Sequence, residues 1–330
     1  MRVLAFIPTK NRYDTLANTI LSLANQTILP DKILIYDDGE QKDLRKEALY
    51  NYIFKLLDKK KIGWEIIFGK KEGQHHGHQL SQDYAIKNSC DYVWRIDDDE
   101  VAEHNCLEEL LKGIEGAVAC GGLVLDPAST DEQFIYSEGL DDIDTMPNRQ
   151  WFKQSKRIVP ALHLYSSFLY KPGLVEYNLA LSNVAHREET MFSHLLSHKG
   201  LVLINTAAVT WHFRNPSGGI REERDVKKWE HDENIFQLYK KYHSKRLIVL
   251  DNGMGDHIVF KKVIDEIKPE VIACCYPDVF KDVDIELISI AEAQAVTNIN
   301  RFNLYGYMDM KGNKKSMHMA YVDLYNEIYI

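Results

Sequence analysis

Short runs of aliphatic and β-branched residues alternate along the chain with stretches whose apolar residues recur every three or four positions. This alternation predicts strands and helices in turn, and hence a parallel sheet covered on both faces. Val3 to Ile7 is the first predicted strand. Leu16, Ile20, Leu23 and Ala24 fall on one helical face, which predicts a helix over Tyr13 to Asn25, and Pro30 closes that unit. Lys32 to Tyr36 and Trp64 to Phe68 read as the second and third strands, separated by a polar helix from Lys42 to Asp58. A helix from Gln79 to Asn88 leads to a strand over Tyr92 to Ile96, which runs directly into Asp97, Asp98 and Asp99. After Tyr242 the pattern restarts. Arg246 to Leu250 reads as a strand, Asp251 to Asp256 as a glycine turn, Ile258 to Ile267 as a helix, Val271 to Cys275 as a strand and Ile285 to Ile290 as another. Two domains are expected, residues 1–243 and a small α/β unit over 244–330 that serves docking, oligomerisation into a homo-oligomer, or acceptor binding.

Composition narrows the class. A chain of 330 residues with 45% hydrophobic side chains buries a large core. A formal net charge of −9 disfavours a dedicated nucleic-acid binder, which carries a basic face, although it leaves room for a local basic groove. The five cysteines, Cys90, Cys106, Cys120, Cys274 and Cys275, match neither a zinc-site spacing nor a disulfide framework, so a reducing, cytoplasmic setting is expected. The opening MRVLAFIPTKNR is too soon broken for a signal peptide, and no run approaches the ~20 apolar residues of a membrane span.

In open α/β sheets, ligands lie beyond the carboxyl ends of the strands. Three predicted loops of that kind are Pro8-Thr9-Lys10-Asn11-Arg12, Asp37-Asp38-Gly39 and Asp97-Asp98-Asp99. An isolated Asp pair is an ordinary turn former. Three adjacent carboxylates repel one another, and a hard divalent cation relieves that strain, with substrate phosphates completing its shell. His75, His76 and His78 fit no zinc pattern and read as a solvated or substrate-contacting loop, while His194 and His198 read as surface positions on a helix. The stretch from Asp126 to Pro160, with Tyr136, Trp151 and Phe152, is long enough to suggest a lid or an acceptor-selecting segment.

The segments FIPTKNRYDTLANTILSLANQT, ILIYDDG and VWRIDDDE, followed by HREETMFSHLLSHKG and VTWHFRNPSGG, resemble glycosyltransferase family 2 in the family's own order, over about residues 2–243. The resemblance implies a GT-A fold: a Rossmann-like mixed sheet, mainly parallel, with helices on both faces. It implies that Thr9 and Asp38 hold the nucleotide base and ribose, with Pro8 and Arg12 in the same donor loop. It further implies that Asp97 and Asp99 are the outer carboxylates of an Asp-x-Asp motif meeting the ribose and a Mn²⁺ or Mg²⁺ ion, with Asp98 between them. His212 matches the late histidine that completes the metal shell, and Glu189 the catalytic base. The sequence departs from the family at Glu189, where Asp is commoner, and at Gln82 and Asp83, which stand for a basic residue and Asn. Residues 244–330 resemble, over a short span, the first half-Rossmann unit of heptosyltransferase-like GT-B proteins. A glycine turn between strand and helix has a purely structural explanation as well.

The chemistry has its own logic. Sugar transfer from a nucleoside diphosphate needs the leaving charge neutralised and a carboxylate to take the acceptor's proton. Glu189 is the first choice for that base; Glu188 is the alternative, and it equally suits the helix N-terminus. A base acting in line without a covalent intermediate inverts the anomeric centre, while a retaining route stays open. The partners expected are a nucleotide-sugar donor, UDP-sugar favoured, and a glycan or other hydroxyl acceptor such as a surface polysaccharide. A hydroxymethylated DNA base is the alternative acceptor, which the acidic balance disfavours. A sugar nucleotidyltransferase would want a glycine in the first loop, where PTKNR has none. A non-catalytic nucleotide-sugar-binding protein is the remaining reading.

Overall fold

A computed structural model of the chain describes residues 1–127, 134–135, 149–150, 158–213, 217–219, 224–243, 245–250, 264–265, 268–274, 277–280, 282–297, 306–308, 314–316 and 319–323. The chain divides into two compact units, residues 1–177 with 182–229, and residues 178–181 with 230–330.

The first unit is built on a nine-stranded sheet. Its first half follows the alternation of the sequence: β1 (Val3–Thr9), α1 (Tyr13–Ala24), β2 (Lys32–Asp37), α2 (Ala48–Lys60), β3 (Gly63–Phe68), α3 (Gln74–Lys87) and β4 (Tyr92–Arg95). β3, β2, β1 and β4 lie side by side and parallel. Every residue of β1 is buried, because its side chains feed two cores on opposite faces of the sheet. Val3, Ala5 and Ile7 pack with Leu16, Ile20 and Leu23 of α1, whereas Leu4 and Phe6 pack with Ala85 of α3. This period of two within a continuously apolar strand is what a doubly covered sheet requires.

The second half departs from simple alternation. After β5 (Glu100–Ala102), α4 (Cys106–Gly113) and β6 (Ala119–Leu125) come the two-residue pair β7 (Phe134–Ile135) and β8 (Arg149–Gln150), then β9 (Ile158–Pro160) and β10 (Phe168–Tyr170). α5 (Glu188–Ser197) and β11 (Val202–His212) follow. β10 runs antiparallel between β4 and β6, and β11 is parallel to β6 but antiparallel to β5 and β9. The sheet is therefore mixed, and the antiparallel strands bring distant segments to the edge where β1, β2 and β4 end.

α6 (Val226–Tyr242) contains the division between the units. In the second unit β12 (Arg246–Leu250), β13 (Val271–Cys274) and β14 (Glu286–Ile288) are parallel, α7 spans Ile290–Thr297, β15 (Gly306–Met308) pairs with β16 (Lys314–Ser316), and β17 (Met319–Asp323) closes antiparallel on β12. The expected glycine turn over 251–256 and all but residues 264–265 of the helix after it lie outside the described residues. Among the described residues no helix is long and apolar enough to cross a membrane.

Candidate active site

The carboxyl ends of β1, β2 and β4 lie side by side, so the loops that follow them face one cavity of about 170 Å³. Pro8, Thr9 and Arg12 come from the first loop, Asp38 from the second, and Asp97, Asp98 and Asp99 from the third. β10, being antiparallel to β4, carries Tyr165 and Ser166 to the same edge. β11 ends there too. Its register sets His212 opposite Glu100, and the Phe213 N–H donates to the Asp99 carbonyl at 2.8 Å. The His212 Nε2 thereby lies 3.4 Å from Asp99 Oδ1.

The three carboxylates after β4 have different surroundings. Asp98 is buried and accepts from Thr9 Oγ1 at 2.7 Å and from Arg12 at 3.2 Å, so it braces the first loop. Asp99 Oδ2 accepts from Arg12 Nη1 at 2.9 Å. Asp97 is the most open of the three, with Oδ1 3.8 Å from Arg95 and no hydrogen-bond partner on that oxygen among the described residues. Carboxylate oxygens and one imidazole nitrogen on a shared wall make a donor set that suits a divalent cation taking oxygen and nitrogen ligands. Asp38 accepts from the N–H groups of Lys71 at 2.7 Å and Gly73 at 2.8 Å, which ties the loop after β3 to the loop after β2.

Facing these groups is the start of α5. Ala185 (φ 54°) and Arg187 (φ 67°) both adopt left-handed backbone, an arrangement costly for residues with a Cβ and found where a turn is held by its surroundings. Glu189, half-buried, then faces the cavity. Glu188 does not. Its carboxylate is fully enclosed, binding Arg95 at 2.6 and 3.0 Å and accepting from Gln74 at 3.2 Å. The structure thus separates two acids that the sequence left as alternatives for the base, because only Glu189 reaches open space.

Burial raises the Asp98 carboxyl to about 7, against the opposing pull of Arg12. Burial likewise raises Glu100 to about 8, with Asp97 adding to the shift, and Glu188 to about 8 despite Arg95. Asp97 is raised by burial, with Arg95 opposing and Asp99 adding. For His212 burial works downward, but the contact with Asp99 and the charges of Glu100 and Asp97 outweigh it and raise the imidazole above its ordinary value.

The sequence profile of glycosyl transferase family 2 matches residues 5–172. The chain belongs to glycosyltransferase family 2. Its fold is the GT-A type. GalNAc-T7, solved with UDP, GalNAc and Mn²⁺, superposes with a TM-score of 0.55 at 14% identity, over 86% of this chain and 56% of that one. S. aureus TarS superposes with a TM-score of 0.50 at 12% identity, over 81% of this chain and 43% of TarS. The 1–349 fragment of S. aureus TarS in complex with UDP-GlcNAc gives 0.50 at 12% identity, over 72% and 66%. The chain spans less than two thirds of the length of each of these three structures. No curated protein matches the chain.

Within this family member, several residues sit where the sequence did not put them. α3 begins at Gln74 rather than Gln79, and His75 and His78 are fully buried on it instead of lying in a solvated loop. The His78 ring packs edge-on to Phe6 and stacks on Tyr177, so it serves as a core aromatic, and burial holds its pKa well below the ordinary value. His194 is also fully buried rather than on the surface. Gln82 is buried and accepts from the Gly173 N–H at 3.1 Å, and Asp83 accepts from Gln79 at 3.1 Å, so the departure from the family pattern there is occupied by internal bonds. Arg95, Gln74, Tyr165, Ser166 and Asn183 line the cavity without having been singled out in the sequence. Arg95 left one signal, a lone cation in an otherwise apolar strand. Tyr136, Trp151 and Phe152 lie outside the described residues.

Proposed function

We propose that this chain is a divalent-metal-dependent, inverting glycosyltransferase that moves a sugar from a UDP-sugar to a hydroxyl of a carbohydrate acceptor, as in the building of a surface glycan. The observation that carries the reading is the sharing of one cavity by Glu189, the Asp97–Asp99 carboxylates and His212. Asp97, Asp99 and His212 would hold the ion, and an imidazole among oxygen ligands favours Mn²⁺ over Mg²⁺. Such an ion supplies positive charge to the departing diphosphate. Support for the donor class comes from the likeness to proteins solved with UDP-GlcNAc and with UDP, GalNAc and Mn²⁺.

In this reading Thr9 and Asp38 hold the base and ribose, with Pro8 and Arg12 completing the donor wall. Asp38 is anchored by two backbone N–H groups, which fixes the carboxylate before a donor arrives. Glu189 takes the proton of the acceptor hydroxyl as its oxygen attacks the anomeric carbon. The bond to UDP breaks on the opposite face, and the configuration inverts. The strained turn at Ala185 and Arg187 aims the carboxylate for this step.

A screen of UDP-sugars with Mn²⁺ or Mg²⁺, following release of UDP, tests the proposal. Turnover is expected with a UDP-sugar and a divalent cation, and Asp99→Ala is expected to reduce it at least ~100-fold, the scale on which a positioned charge acts in such sites. Unchanged UDP release by Asp99→Ala, or the absence of any nucleotide-sugar binding, would overturn it.

A further inference from the structure

One guanidinium ties β4 to the start of α5 and to the segment before β10. Arg95, the last residue of β4, is only 1% exposed. Its Nη2 stands 2.6 Å from Glu188 Oε1 and its Nη1 3.0 Å from Glu188 Oε2, so the two planar groups meet through paired bonds. Its Nε donates to the Ser166 carbonyl at 3.3 Å, and the guanidinium carbon lies 5.4 Å from the centre of the Phe168 ring. Gln74, at the start of α3, donates to Glu188 Oε1 at 3.2 Å. Asp97 Oδ1 is 3.8 Å from Arg95 Nη2, beyond hydrogen-bond reach, so the guanidinium is committed to Glu188 rather than to Asp97.

A buried pair of this kind is a weak source of stability. Desolvating both groups offsets most of their attraction, and apolar residues of similar volume often hold a fold as well or better. What the paired bonds add is direction, because the guanidinium fork takes a carboxylate in one plane and one orientation. The neighbouring residue inherits that direction. Consecutive residues of an α-helix are turned about 100° from each other around its axis, so a first turn pinned through Glu188 holds Glu189 at a set angle to the cavity. The turn that leads into it needs such a hold. Ala185 (φ 54°) and Arg187 (φ 67°) are left-handed, and backbone of this kind persists where its surroundings fix it.

We propose that Arg95 is a positioning residue for the transfer step: its paired bonds to Glu188 fix the rotational setting of the first turn of α5, and through it the place of the Glu189 carboxylate. The role rests on the reading of Glu189 as the base given under Proposed function. Because Arg95 acts through Glu189, the loss on removing it must fall on kcat and must largely vanish once Glu189 is gone.

The test replaces both partners by apolar residues, Arg95→Met together with Glu188→Leu, in the full chain. UDP release is followed with Mn²⁺ and the UDP-sugar that turns over fastest in the screen above. The double variant is expected to unfold in urea at or above the wild-type midpoint. Its donor KM should stay within about threefold of wild type while kcat falls about 100-fold, the scale of a reacting group misplaced by ~1 Å. Adding Glu189→Gln, which cuts the wild type by at least ~100-fold, should cost the double variant less than about fivefold, since residues that act as a unit are not additive. Arg95→Lys keeps the charge and loses the fork, and it serves where the double variant folds poorly. Its expected signature is a kcat loss of at least about tenfold with the same blunted response to Glu189→Gln. A folded variant that keeps wild-type kcat overturns the positioning role alone, and so does a loss carried by donor KM or a full additional cost of Glu189→Gln. A wild type that Glu189→Gln leaves unchanged, or that turns over no UDP-sugar, removes the base reading and the positioning role together.

Discussion

At the start of α5, two neighbouring carboxylates have opposite surroundings. Glu188 is sealed against Arg95, while Glu189 is half-buried at the cavity wall. Glu188→Gln removes half of a buried ion pair and leaves Arg95 uncompensated, a change that costs roughly 3–5 kcal/mol. Its expected signature is a large fall in the denaturation midpoint, measured by urea titration. Glu189→Gln should leave that midpoint within about 0.5 kcal/mol of wild type, because no buried partner is lost. It should keep donor binding and cut transfer by at least ~100-fold, the scale of a lost general base. Equal stability losses in both variants would contradict the division of labour. The resemblance singled out Asp97, Asp99, Glu189 and His212, and the structure brings all four to one cavity. The sequence preferred Glu189 to Glu188 without a physical reason for their different burial, because that reason is Arg95, far away in sequence and adjacent only once β4 and α5 meet.

Elements were legible in proportion to how plainly their apolar residues repeat. β1 through β4 and the faces of α1 followed from the pattern, and the boundaries moved by a residue or two. The first turn of α3 did not follow, because its buried face is made of His75, His78, Ser81, Gln82 and Ala85, and that face carries little hydrophobic signal. β10 was missed as well; three residues are too few to show a period. α3 also includes Gly77, where a Cβ would stand 2.4 Å from Cδ1 of the buried Tyr36 ring on β2. Gly77→Ala gains about 1 kcal/mol of helix propensity and loses about 1–3 kcal/mol by overpacking. The helix should therefore shift away from β2, with a net loss of about 1 kcal/mol in thermal or chemical denaturation. A more stable Gly77→Ala would mean that α3 does not approach β2 so closely.

Charge acts at the scale of the whole molecule. The chain carries a formal net charge of −9, a count that includes its buried acids. Asp98 is raised by burial to about 7, and Glu100 to about 8. Unfolded carboxyls titrate near ~4. Because the folded values are higher, the folded chain binds these protons more tightly, and the stability they contribute is fully present below ~4 and lost as pH rises through 7 to 8. Each group contributes a slope of about 1 kcal/mol per pH unit within that window. The metal-free protein is accordingly expected to have a falling melting temperature between about pH 5.5 and pH 8, levelling off above it. Mn²⁺ prefers the ionised carboxylates and must displace protons to bind. The rise in melting temperature on adding Mn²⁺ should therefore be larger at pH 8 than at pH 6. Scans in the two buffers at matched ionic strength check both signs. A metal-free melting temperature that climbs steadily from pH 6 to pH 8 would mean that these acids are already ionised in the folded chain, and the case for a cation completing their charge would lose its electrostatic footing.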